Sequence, residues 1–146
     1  MRLAVLDTNV IVSAAIQPDG PPARLVLDWV LGRRVQLVCS PAVLSEYREV
    51  VRREKFQKYG FPPPWLEVAI DHSLWLPEPQ PWPLSCPDGK DAPFLALAEI
   101  AGAWLVTGNL KHFPESACGG VRVISPRAYL EYLTRAGVTW QDDAQE

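Results

Sequence analysis

Arg2-Leu3-Ala4-Val5-Leu6-Asp7-Thr8-Asn9-Val10 is the stretch on which the fold turns. Leu3 to Leu6 form an apolar run with no polar alternation, which runs straight into an aspartate. Such a run reads as a strand buried on both faces, the habit of a central parallel strand. In open α/β sheets ligands gather at the carboxyl ends of these strands, where Asp7 would sit with Thr8 and Asn9 beside it. Val10, Ile11, Val12, Ala14, Ala15 and Ile16 continue as an apolar helical run. Asp7 can therefore also be read as the cap of that helix, although Thr8 and Asn9 could do the same job. The rest of the chain has to decide between the two.

Outward from this stretch, strand and helix signals alternate. Gln17 to Pro22 is a turn by composition. Residues 23–32 predict a helix with Leu25, Val26, Trp29 and Val30 on one stripe, and Val35 to Cys39 a second buried strand. Ser40 and Pro41 open a third helix as cap and first helical residue. Its stripe is Val43, Leu44, Tyr47, Val50 and Val51, with Glu46 at the stripe's edge and Arg48, Arg52 and Arg53 on the back. A Gly/Pro segment over 59–64 precedes a helix over 65–74 and a short strand at Leu74-Trp75-Leu76. Prolines at 77, 79, 81, 83 and 87 impose an extended connector. Residues 85–93 are turn chemistry opening a helix that carries Phe94, Leu97, Ala98 and Ala101 and ends at Gly102. Trp104 to Val106 and Val121 to Ile124 read as the last two strands, with a turn of helix or loop over 111–114 and a last helix over 126–136. This alternation predicts an α/β fold, a three-layer α/β/α sandwich with a mainly parallel sheet of four or five strands. The expected domain is 1–136, followed by an acidic tail over 137–146.

At 146 residues a single domain with a full core is expected. The start of the chain lacks a signal-peptide pattern, and no apolar run approaches the ~18–20 residues of a membrane helix. Cys39, Cys86 and Cys118 are odd in number and widely spaced, which argues against a disulfide framework or zinc site and suits a reducing cytoplasm. The net charge of −3 argues against generic nucleic-acid binding. Its distribution is uneven: residues 1–60 hold nine Lys/Arg against six Asp/Glu, and residues 61–146 five against eleven.

Parallel strands bring their carboxyl ends to one edge, and the helices that follow them begin there. Asp7, Glu46, Asp88, Asp91 and Asn109 all fall at such positions. Four carboxylates at one edge would repel one another unless cations lay between them. Oxygen ligands at an open site suit Mg²⁺ or Mn²⁺, and such ions serve phosphoryl and phosphodiester chemistry. His112 reads as a surface or packing histidine rather than a base, and His72 as structural.

At these residues the chain resembles the PIN domain family, close to the VapC-like toxin ribonucleases of toxin–antitoxin pairs. The resemblance spans residues 2 to about 130. It rests on Leu6-Asp7-Thr8-Asn9-Val10, Ser45-Glu46-Tyr47, the run from Asp88 to Ala98, and Leu105-Val106-Thr107-Gly108-Asn109. It implies a divalent-metal-dependent endoribonuclease that acts on RNA with Mg²⁺ or Mn²⁺, as the toxin of a toxin–antitoxin pair. By that likeness Asp7, Glu46 and Asp91 match the catalytic, metal-binding acids. Asn109 matches a fourth ligand position, often Asp in the family, and Asp88 an extra carboxylate where Ala92 replaces another acid. Thr8, Asn9 and Thr107 are supporting positions. A homodimer and a cognate antitoxin that covers the site are also implied, and Trp65, Leu66 and Trp75 are expected to be exposed for such contacts. The alternative, favoured by Asn109, Ala92 and the negative charge, is a catalytically inactive PIN-like module that binds RNA or a partner protein. A haloacid-dehalogenase-like phosphatase would need a second Asp where Asn9 stands, and P-loop and dinucleotide-binding glycine patterns are absent.

Overall fold

The computed structural model describes residues 2–137. Its centre is a five-stranded, all-parallel sheet in the order β3-β2-β1-β4-β5. The strands are β1 (Arg2–Leu6), β2 (Val35–Cys39), β3 (Leu74–Trp75), β4 (Trp104–Val106) and β5 (Val123–Ile124). The apolar run of β1 occupies the middle place, with Ala4, Val5 and Leu6 fully buried. This is the environment in which a strand has no polar face to show. Ala4 pairs with Leu37 on one side, and Leu6 with Val106 on the other.

Among the described residues seven α-helical segments lie between and after the strands: α1 (Thr8–Ile16), α2 (Pro21–Ala23), α3 (Pro41–Val51), α4 (Trp65–Asp71), α5 (Ala92–Ala101), α6 (Glu115–Cys118) and α7 (Pro126–Arg135). Helix α2 runs on as a π-helical stretch, Arg24–Val30, so the helix expected over 23–32 starts earlier and is wider-wound than its periodicity suggests. At its end a Cβ on Gly32 would lie 2.2 Å from the Asp28 carbonyl oxygen, so only glycine fits. The last strand is shorter than expected, Val123–Ile124 rather than 121–124. The proline-rich connector carries no regular element and is tied down by Trp82, whose Nε1 donates to the Ala117 carbonyl at 2.8 Å.

Ser40 stands at the cap position of α3 with extended backbone, but its hydroxyl is buried without a partner. The connector supplies the cap instead: the Ala42 amide donates to Glu78 Oε1 at 2.7 Å. Leu66 is buried at 2% exposure, whereas Trp75 is 49% exposed. Leu66 falls on the inner stripe of α4 with Ala69 and Ile70, so it belongs to the core and not to a docking face. The acidic tail lies outside the described residues apart from Gly137. Among the described residues no helix is long and apolar enough to cross a membrane.

Candidate active site

The pairing of Leu6 with Val106 sets the ends of β1 and β4 side by side. Asp7 and the Thr107-Gly108-Asn109 turn therefore leave the sheet together, and the Asp7 amide donates to the Val106 carbonyl at 2.9 Å. Thr107 Oγ1 donates to Asp7 Oδ2 at 2.8 Å, and Asn9 Nδ2 reaches the same oxygen at 3.2 Å. Asn9 also donates to Thr107 Oγ1 at 3.3 Å, and its Oδ1 accepts the Gly108 amide at 2.9 Å. The Asn109 amide donates to Thr107 Oγ1 at 3.0 Å. Asn9 and Thr107 thus lock the Asp7 carboxylate in one orientation. A Cβ at Gly108 would lie 3.3 Å from Asn9 Oδ1 and would press on that side chain.

These contacts bear on the two readings of Asp7. Its side chain makes no capping hydrogen bond to α1, although the residue stands at the cap position. Buried at 6% exposure, its carboxyl is pushed up by desolvation; the Thr107 hydroxyl, the nearby Thr8 amide, His112 and the Asn9 amide offset this in that order. A carboxylate kept dry and tied to the Thr107 side chain beyond β4 is a candidate for a role other than starting a helix. Thr8 is buried, and its hydroxyl has no partner.

Asp91 stands at the head of α5, 7% exposed. Its Oδ2 is buried and makes no hydrogen bond. Burial pushes its carboxyl up to about 6; Asp7 and Asp88 push the same way, and His112 opposes. Asp88 is exposed and closes a short turn by accepting the Lys90 amide at 3.0 Å. Glu46, half-buried in the second turn of α3, is raised by desolvation first, then by Glu49 and Asp7, against Lys90 and Arg53. Asp7 thus acts through space on both Glu46 and Asp91. The side chain of Asn109 makes no hydrogen bond to these acids among the described residues.

His112 is the residue that sequence reasoning passed over. Its Nδ1 lies 3.1 Å from Asp91 Oδ2. Together Asp88, Asp91 and His112 offer ligand atoms within 4.8 Å of one another, a set that Asp7 and Glu46 do not join. The signal that could have found it is local: His112 follows Asn109 by three residues, and the single 3₁₀ turn Leu110–His112 puts positions three apart on one side. The donor set fits a divalent cation, because a buried carboxylate oxygen without a donor among like charges is relieved by a positive ion.

The comparisons with known proteins bear on family and fold. The family model described as PIN domain matches residues 3–111. The chain belongs to the PIN domain family. It is 30% identical over 108 residues to the uncharacterized protein MJ1680 of Methanocaldococcus jannaschii, covering 72% of this chain and 69% of that protein. Among solved structures, it superposes on a chain of VapBC2 from Rickettsia felis, bound to a DNA fragment from their promoter. The TM-score is 0.60 at 17% identity, over 84% of this chain and 98% of that one. It superposes likewise on a chain of FitAB bound to the IR36 DNA fragment, with a TM-score of 0.53 at 20% identity, over 84% and 94%. In fold the chain is VapC-like.

Proposed function

We propose that the protein is a divalent-metal-dependent endoribonuclease, the toxin of a toxin–antitoxin pair acting in the cytoplasm. The observation that carries this reading is the buried, unpartnered Asp91 Oδ2 beside Asp7 and Asp88 at the carboxyl edge of the sheet. The polar group nearest that oxygen is His112 Nδ1, 3.1 Å away. A divalent ion held there supplies polarisation of the phosphodiester and a lowered pKa for the attacking water. Asp7 and Asp91 are the principal ligands in this reading, with Asp88 and Asn109 completing the shell. Glu46 orients the water and accepts its proton, a role suited to a carboxyl raised by partial burial. Thr107 and Asn9 hold Asp7 in place.

The likeness in fold to the VapBC2 and FitAB structures supports a cognate antitoxin as partner. The exposed Leu74 and Trp75 on an edge strand support a homodimer, which sedimentation at micromolar protein checks. Three thiols without disulfides suit a reducing compartment. The test of the enzyme is cleavage of a mixed RNA pool with Mn²⁺, Mg²⁺ or EDTA. Cleavage should require metal and fall at least about a thousandfold in Asp7→Ala, the scale of losing a main electrostatic contributor. Equal cleavage by the variant, or cleavage that survives EDTA, would point to a contaminating nuclease and leave the inactive-module alternative standing.

A further inference from the structure

His112 sits half-exposed at the end of the 3₁₀ turn after β4, one residue beyond the span matched by the family model. Its Nδ1 is 3.1 Å from Asp91 Oδ2, close enough for a hydrogen bond. The pair is close but off the geometry of a good hydrogen bond, and Oδ2 has no other partner on a residue only 7% exposed. Two such atoms held this close need positive charge between them, either a proton on Nδ1 or a cation. The spacing is that of neighbouring ligands on one ion: two donors each ~2.1 Å from a metal at right angles lie about 3.0 Å apart. Asp88 brings a third ligand atom within 4.8 Å, its carboxylate oriented by the Lys90 amide. Two carboxylates and a neutral imidazole balance a divalent cation, and the imidazole supplies a donor on the turn where Asn109 brings no charge. Imidazole nitrogen suits transition metals, whereas Mg²⁺ takes oxygen ligands and keeps its waters.

We propose that His112 is a nitrogen ligand of the metal centre alongside Asp91 and Asp88, and that it tilts the centre toward divalent transition ions such as Mn²⁺ and away from Mg²⁺. The inference rests on the metal-centre part of the proposed function and goes beyond it in naming a ligand and a selectivity.

The chain has only two histidines, which makes the test clean. His72 cannot share the site, since it precedes β3 and therefore lies at the opposite edge of the sheet, where it contacts Arg33. The whole protein is loaded with Mn²⁺ alone and examined by pulsed EPR for a directly bound ¹⁴N, in wild type, His112→Ala and His72→Ala. Isothermal titration with Mn²⁺ and with Mg²⁺ follows on the same three proteins. The nitrogen signal is expected in wild type and His72→Ala and absent in His112→Ala. Mn²⁺ affinity should fall about 10- to 100-fold in His112→Ala, by analogy with lost metal-site partners, while Mg²⁺ affinity changes little. Bound Mn²⁺ without nitrogen coupling, equal losses for both ions, or no Mn²⁺ binding would each overturn the proposal. RNA cleavage failing while the nitrogen signal persists would overturn the nuclease reading and leave this one intact.

Discussion

Asp91 is the residue at which folding and function pull in opposite directions. Its carboxyl is raised from 3.8 to about 6, chiefly by desolvation, with Asp7 adding repulsion. A carboxyl raised in the folded state binds more protons there than in the unfolded chain. The stability it contributes is therefore fully present below about pH 4 and is lost as pH rises through about 6. Asp7 and Glu46 are raised too and act with the same sign. The metal-free protein should melt at a lower temperature at pH 7 than at pH 5. Asp91→Asn should flatten that slope and raise Tm at pH 7 by a few degrees, the shift expected of ~1 kcal/mol in a chain of this size. Saturating Mn²⁺ should reverse the slope in wild type, because ions take deprotonated carboxylates. Thermal scans in EDTA and in Mn²⁺ across pH 4–8 check all three. If Asp91→Asn sharply lowers Tm in EDTA, its carboxylate is structural and the metal role fails.

Among elements, α3 shows best how local signals can name the right residue for the wrong job. Ser40-Pro41 marked the start of the helix correctly, yet the Ser40 hydroxyl is buried and idle while Glu78 accepts the Ala42 amide. No pattern in residues 40–43 could have announced a cap that arrives from a connector more than thirty residues away. Glu78→Ala should cost about 1 kcal/mol, since it removes both an acceptor and a negative charge from a helix start. A shifted urea midpoint with unchanged slope is the expected record. A midpoint that does not move would mean that water replaces the carboxylate without loss. The same distinction between local and distant information runs through the site. The placement of β1, β2 and β4 and the position of Asp7 were legible because continuous apolar runs and their ends are local facts. The π-helical winding of Arg24–Val30 and the burial of Leu66 were not, since they depend on what packs across from them. His112 was missed because Asp91 is its neighbour only after β4 and α5 have folded together.

For the whole molecule, the proposed function raises the question of how an acidic protein of net charge −3 would hold a polyanion. On the basic back of α3, Arg48 pairs with Glu67 at 3.0 Å and Arg53 with Glu49 at 3.2 Å. Arg52, exposed, follows the last residue of α3, at the end of that helix away from Glu46 and the sheet's carboxyl edge. The cations that flank the candidate site are instead Lys90, between Asp88 and Asp91, and Lys111, next to His112; both are exposed. Two phosphate contacts give little counterion release. For a single strand the slope of log affinity against log salt should be about −1.4 per site, so affinity falls only about sevenfold between about 50 and 200 mM salt. The measurement needs a variant that binds without cutting, and Asp7→Asn in Mn²⁺-free buffer with a labelled RNA serves. Lys90→Ala and Lys111→Ala should each reduce the slope by about 0.7, whereas Arg48→Ala should leave it unchanged. A slope steeper than about −4 would mean that RNA runs across a far larger basic surface than these two lysines.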